Sequence, residues 1–189
     1  LRTLGILISG RGSNLQAILD AIREGKLDAR VGVVLSNVEG APGLERARAA
    51  GVPTEVLSHR DCPSRERYDE ALVDRLRAHE VDLVCLAGFM RLLSPVFVRA
   101  FPGRILNVHP SLLPAFPGLH AQRQALEHGV KVTGATVHLV DEELDHGPIL
   151  LQRAVPVLEG DDEESLSARI LEQEHQIYPE AIALVLERK

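Results

Sequence analysis

Two cysteines are all that the chain holds, Cys62 in a polar stretch and Cys85 in an apolar one, with no CxxC pair and no HExxH motif. That scarcity excludes a disulfide-held scaffold and a thiolate metal cage, so free thiols, no metal and a reducing, cytoplasmic setting are expected. Long apolar runs are missing too. None reaches the ~18 residues that span a bilayer, so no membrane association is expected. Thr3–Ser9 leads straight into a glycine turn, which reads as the start of a fold and not as a signal peptide. Positive charge is in deficit: 21 Lys and Arg against 27 Asp and Glu leave a net −6. That balance argues against a nucleic-acid groove as the main binding surface. Repeats, low-complexity tracts and flexible linkers are likewise missing. What remains is 189 residues, 45% hydrophobic and 25% charged, enough to bury a sizeable core. The expectation is one domain over residues 1–189, acting on small molecules as a monomer or homodimer.

The residues present follow one rhythm. Thr3–Ser9, Val31–Leu35, Thr54–Leu57, Asp82–Ala87 and Arg104–His109 are short runs suited to buried strands. Between them lie helical patterns. Leu15, Ile18, Leu19 and Ile22 share one helix face, Gly25 ends that helix, a second helix falls near Pro42–Ala50, and a third runs over Arg65–Glu80. Alternating strands and helices predict a Rossmann-like α/β fold, a mainly parallel central sheet with helices on both faces. After Pro110 the pattern changes. Thr133–Val140 and Ile149–Val155 read as strands separated by an acidic loop, and helix resumes near Ser165 until Pro179 interrupts it before Ala181–Glu187. Glu159–Glu164 reads as a solvated helix N-terminus.

Ligands of parallel α/β sheets bind beyond the carboxyl ends of the strands, which directs attention to Gly10–Asn14, Gly88–Ser94, Asn107–Gly118 and Asp141–Pro148. The first has Gly10 and Gly12 but lacks the third glycine of GxGxxG, and Ser36-Asn37 stand where a ribose-binding acid belongs. It has no Lys-Ser/Thr of a Walker loop. NAD is therefore not expected. Two readings stay open: a turn capped by Ser13 or Asn14, or a helix N-terminus that seats a monophosphate. Asn107 and His109, two apart on a strand, point the same way. An amide donor and an imidazole there can converge on one reacting carbonyl, unless His109 only satisfies itself in the proline-bounded turn that follows.

The run Asn107-Val-His-Pro-Ser-Leu-Leu-Pro114 resembles the signature of the 10-formyltetrahydrofolate-dependent formyltransferases. Ser9-Gly-Arg-Gly-Ser-Asn14, Ala87-Gly-Phe-Met-Arg-Leu-Leu-Ser94 and Gln173-Glu-His-Gln-Ile-Tyr-Pro179 resemble the branch that formylates glycinamide ribonucleotide. The likeness runs in order from the first strand to Pro179. It implies 10-formyltetrahydrofolate as formyl donor and roles for particular residues. Gly12, Ser13 and Asn14 would hold the nucleotide's phosphate, and Glu174 would help hold that substrate. Met90, Arg91, Leu92 and Leu93 would border the pterin slot, with Leu86, Phe97 and Val98 as apolar walls. Asn107 would also touch the folate, and Arg65 would meet its benzoylglutamate end. Asn107, His109 and Asp145 would form the catalytic group, Asp145 belonging to a family-like Asp-x-Gly-Pro. Without the resemblance, Arg65 and Glu174 read equally as surface residues, and His138 as a core histidine.

One departure stands out: position 146, usually small in such relatives, is His146. Three other readings compete. A methionyl-tRNA formyltransferase would carry an RNA-binding domain and basic surface, and a formyltetrahydrofolate deformylase an N-terminal regulatory domain. A non-catalytic binding module would not need Asn107, His109 and Asp145 together.

Overall fold

The protein, described over residues 1–188 of a computed structural model, is built on a seven-stranded sheet in the order β3-β2-β1-β4-β5-β6-β7. Strands β1 (Arg2–Ile8), β2 (Ala29–Ser36), β3 (Thr54–Val56), β4 (Leu83–Leu86) and β5 (Ile105–His109) run parallel. Strands β6 (Val132–Leu139) and β7 (Ile149–Pro156) complete the sheet antiparallel. The expected Rossmann-like architecture is what forms. Strand alternation explains why both faces need helices. Leu4, Ile6 and Ile8 of β1 and Leu83 and Cys85 of β4 enter one apolar core, while Leu7, Val84 and Leu86 enter the other.

Helices α1 (Ser13–Arg23), α2 (Gly43–Ala49), α5 (Ala121–His128) and α6 (Glu163–Glu187) contribute to the first core. Helices α3 (Arg65–Ala78) and α4 (Pro95–Ala100) contribute to the second. Each boundary has a local cause. Ser64 caps α3 by accepting the Arg67 N–H, and Asp162 and Ser165 close a capping box at α6. Glu163 and Glu164 fill the first turn of α6 as the helix start that composition predicts, but Asp161 before them is not solvated: its side chain is 5% exposed and pairs with Arg169 at 2.8 Å. No described helix is long and apolar enough to cross a membrane. Both cysteines are free thiols, and burial pushes Cys85 up to about 12.

Two departures from the sequence pattern have physical reasons. Pro179 does not interrupt α6, which runs unbroken through it. Proline removes the bond to the carbonyl four residues earlier and crowds that carbonyl, but Ile177, Tyr178, Ala181 and Ile182, all fully buried around it, hold the helix on the sheet. The Tyr178 hydroxyl adds a bond to the Leu86 carbonyl at 2.7 Å and a longer one to that of Leu106 at 3.1 Å. Helices α4 and α5 were not evident in the sequence. Both are short, six and eight residues, and too few turns exist for a helical period to declare itself.

Candidate active site

The strand order reverses direction between β1 and β4, and the carboxyl ends there open the crevice in which such sheets bind ligands. On its β1 side, α1 follows Gly12 at its N-cap, whose φ of 74° is left-handed and favours glycine. A Cβ at Gly12 would also lie 2.8 Å from the Gly43 backbone. Neither Ser13 nor Asn14 caps the helix; no side chain does. The first N–H groups of α1 are thus left for an outside acceptor, together with the positive end of its dipole. Asn14 instead turns its amide N–H to Glu174 at 3.1 Å, and its own Oδ1 is buried with no partner. An unmet buried acceptor is costly unless a donor arrives with a ligand.

Glu174, from α6, is 95% buried. Burial pushes its carboxyl up to about 7, and the Asn14 hydrogen bond only partly opposes that. The folded protein therefore binds this proton more tightly than the unfolded chain. Its contribution to stability is full below the ordinary glutamate value near 4.5 and is lost as pH rises through about 7. Glu174→Gln should flatten the fall in Tm between pH 5 and 8 and melt higher than the parent at pH 8. Parallel Tm–pH curves for the two proteins would contradict the buried-acid assignment.

Beyond β4, the polar side chains gather on one face of β5 and β6. Residues 105, 107 and 109 point to the α3/α4 side, where Ile105 closes the apolar core and Asn107 and His109 continue past it. Register sets Asn107 against His138 and His109 against Thr136. His138 is buried, and burial lowers its pKa and keeps it neutral. Its Nδ1 faces the Leu139 carbonyl at 2.9 Å and so carries the hydrogen, leaving a lone pair on Nε2. That lone pair meets the Asn107 amide nitrogen at 3.5 Å. The contact is long, but it fixes the amide's orientation: an NH₂ group, with a hydrogen to spare, faces the site.

His109 is oriented by similar logic. Its Nε2–H donates to the Phe116 carbonyl at 2.8 Å, so the proline loop does satisfy one ring nitrogen, as the plainer sequence reading expected. The other nitrogen, Nδ1, lies 3.6 Å from Asp145 Oδ2. A second proton on this ring would sit at Nδ1, directed at that carboxylate. Asp145 itself is held in place. Its side chain is 6% exposed, Oδ2 accepts the Gly118 N–H at 2.8 Å, and Oδ1 lies 3.9 Å from His138 Nε2. Its φ of 50° is left-handed and costs roughly 1 kcal/mol for a residue with a side chain. Two residues on, Gly147 leaves no room for a side chain, because any Cβ there would lie 1.8 Å from the Leu139 carbonyl oxygen. The loop Ser111–Gly118 that serves both His109 and Asp145 is stiffened from beneath. Thr136 Oγ1 donates to the Ser111 carbonyl and accepts the Leu113 N–H, and Gln152 donates to Thr136 Oγ1 and the Leu113 carbonyl.

The structure thus brings Asn107, His109 and Asp145 together, with His138 as a neighbour, and separately brings Asn14 to Glu174. Phe116, Gly118 and Gly147 act through backbone, which side-chain reasoning does not reach. His146 turns away from the cluster: Nδ1 binds Asp141 at 3.0 Å, Nε2 lies 3.4 Å from Glu143, and the ring is mostly exposed. Those carboxylates raise its pKa, the Asp141 hydrogen bond most.

Between β4 and α4 the chain presents Met90 and Leu92 to solvent at 69% and 54% exposure. Large apolar residues in a loop at the crevice are costly to expose and suit an apolar ligand surface. Leu93 is half-buried, and Arg91 stacks its guanidinium 4.3 Å over the Tyr68 ring. Phe97 and Val98 lie in the core beneath, with Leu86, rather than on an open wall. Arg65, at the start of α3, is exposed and makes no ion pair among the described residues.

Comparison with known proteins gives the family. Residues 3–182 match the family described as formyl transferase. The phosphoribosylglycinamide formyltransferase of Escherichia coli K12 is 53% identical over 94% of this chain and 84% of its own length. The trifunctional purine biosynthetic protein adenosine-3 of Drosophila pseudoobscura is 54% identical over 97% of the chain, which spans 14% of that longer protein. The crystal structure of glycinamide ribonucleotide transformylase 1 from Symbiobacterium toebii superposes with a TM-score of 0.98 at 61% identity, covering 99% of this chain and 88% of that one. The chain belongs to the formyl transferase family.

Proposed function

We propose that this chain transfers the formyl group of 10-formyltetrahydrofolate to the amine of glycinamide ribonucleotide, giving formylglycinamide ribonucleotide and tetrahydrofolate for purine synthesis. The observation that carries the reading is the pairing of two half-sites across one crevice. An uncapped α1 N-terminus beside Asn14 and Glu174 suits a phosphorylated sugar, and exposed Met90 and Leu92 suit an apolar ring system, with the Asn107–His109–Asp145 cluster on the β5 side. The relatives named for this reaction support the choice of acceptor and donor. The domain acts as a single unit over residues 1–189 in the cytoplasm, as a monomer or homodimer, without metal or NAD.

The chemistry needs no enzyme nucleophile, because the acceptor amine attacks the formyl carbon itself. A C–N bond forms and the formyl oxygen becomes an oxyanion. The spare Asn107 N–H and a protonated His109 stabilise it in a site where little water screens the charge. One proton then leaves the former amine and reaches N10 of the folate, the C–N10 bond breaks, and tetrahydrofolate departs. Asp145 faces His109 Nδ1, where it stabilises the imidazolium and holds a water that relays the proton. Gly12, Ser13 and Asn14 hold the phosphate, Glu174 the rest of the nucleotide, and Arg91, Leu93 and Arg65 the folate along with Met90, Leu92 and Asn107.

Assaying formylfolate consumption with glycinamide ribonucleotide, with methionyl-tRNA and with no acceptor tests the reading. Turnover should require the ribonucleotide. Release of formate without any acceptor would make the protein a hydrolase. Gly12→Ala should raise the KM for the ribonucleotide at least tenfold while that for folate stays within a few-fold, since the new methyl forces a left-handed turn away from the Gly43 backbone. The opposite split would reassign the loop.

A further inference from the structure

The two half-sites are joined by a single hydroxyl. Ser9 follows the last residue of β1, immediately before Gly10. Its Oγ lies 2.5 Å from Asn37 Oδ1, an atom that can only accept, so the Ser9 proton is committed there. The lone pairs of Oγ are then free, and the backbone N–H of Met90 donates to them at 2.8 Å. Ser36, beside Asn37, closes a tight turn through its own hydroxyl onto the Val38 backbone, which steadies the Asn37 end. The ends of β1, β2 and β4 are therefore bridged at the point where the strand order reverses.

The two loops depend on this bridge unequally. The nucleotide loop has other anchors: Gly43 N–H to the Gly10 carbonyl at 2.9 Å, Arg46 Nε–H to the Arg11 carbonyl at 2.8 Å, and Gln16 N–H to the Gly12 carbonyl at 2.9 Å. The segment Gly88–Leu93 has one backbone hydrogen bond, besides the stacking of Arg91 on Tyr68 and the packing of Phe89 and Leu93 against the second core. Ala87 before it binds the Leu7 carbonyl and Ser94 after it binds Asp69, but among the described residues Met90 N–H is the only backbone group of that segment in a protein hydrogen bond. Losing it loosens the backbone of this six-residue segment at the place where Met90 and Leu92 stand exposed.

We infer that Ser9, oriented by Asn37, is a positioning residue for the folate loop: it acts through the Met90 backbone and sets affinity for formylfolate and not for the nucleotide. This rests on the folate reading of Gly88–Ser94. The same residue that reads as a missing acid in the dinucleotide comparison, Asn37, acquires a use as the acceptor that aims the hydroxyl.

Steady-state KM values for both substrates test it. Ser9→Ala should raise the KM for 10-formyltetrahydrofolate about five- to tenfold, the scale of one lost hydrogen bond, with the ribonucleotide KM within twofold. Asn37→Ala should raise the folate KM less, about two- to threefold, and Asn37→Asp, which keeps an acceptor, should restore it. The Ser9→Ala/Asn37→Ala double variant should be no worse than Ser9→Ala alone, because both changes break one chain of contacts. Equal rises in both KM values, an unchanged folate KM in Ser9→Ala, or additive effects in the double variant would overturn the relay. Leu92→Asp separates the layers of the argument. If it raises the folate KM while Ser9→Ala does not, the relay alone fails; if the folate KM is normal in Leu92→Asp, the folate reading fails and the relay with it.

Discussion

Asn107→Ala is expected to lower kcat by roughly 10²- to 10³-fold, the range found when one donor to a developing oxyanion is removed. Substrate KM values should move far less. The reason lies in how the amide is held: the lone pair on His138 Nε2 requires a donor opposite it, so Asn107 must present its NH₂ end, and one hydrogen remains for the substrate. Asn107→Asp is nearly isosteric yet replaces that donor with acceptors, and it should be no better than the alanine variant. His109→Ala should cost at least as much as Asn107→Ala, because it removes the ring that faces Asp145 and with it the proposed second stabiliser of the oxyanion. Circular dichroism should show both folds intact, since neither side chain belongs to the two apolar cores. Near-normal turnover in either purified variant would remove the proposed oxyanion site.

The second large effect separates two adjacent titratable residues. Asp145→Asn keeps size and most hydrogen bonding, including acceptance from the Gly118 N–H, but removes the charge opposite His109. It should lower kcat by roughly 10²-fold or more through loss of the stabilised imidazolium and the proton relay. His146→Ala should leave kcat within a few-fold, because its ring is bound to Asp141 and Glu143 on the solvent side of the same loop. A reversal of these two results would show that the charge partner of the reaction is His146's cluster and not Asp145.

Some of this site could be read directly from residue order and some could not. Asn107 and His109 declared themselves because strand periodicity forces residues two apart to share a face. The Gly10–Asn14 turn did so because glycines between a strand and a helix mark a backbone approach. Asp145 and Glu174 were recoverable only through resemblance. An acid in the acidic loop Asp141–Asp145, or inside a charged helix, has no local feature that announces burial, and yet the Asp145 side chain and Glu174 are both about 95% buried. The contacts of Phe116, Gly118 and Ser9 were out of reach because they depend on which loops the sheet order brings together. Pro179 differs from its sequence signal for a related reason: a local breaking tendency yields when tertiary packing secures the helix on both sides. Fold class was the easiest part, since it needs only the alternation of apolar runs and helical faces.

The central claim is direct transfer between two bound small molecules, and a single turnover with carbon-13 in the formyl group tests it most directly. Enzyme in excess over labelled 10-formyltetrahydrofolate, mixed with glycinamide ribonucleotide and followed by NMR, should move the label from N10 of the folate to the amide of formylglycinamide ribonucleotide. One tetrahydrofolate should appear per transfer, with no free formate. Label appearing as formate at the same rate with or without the ribonucleotide would contradict the account.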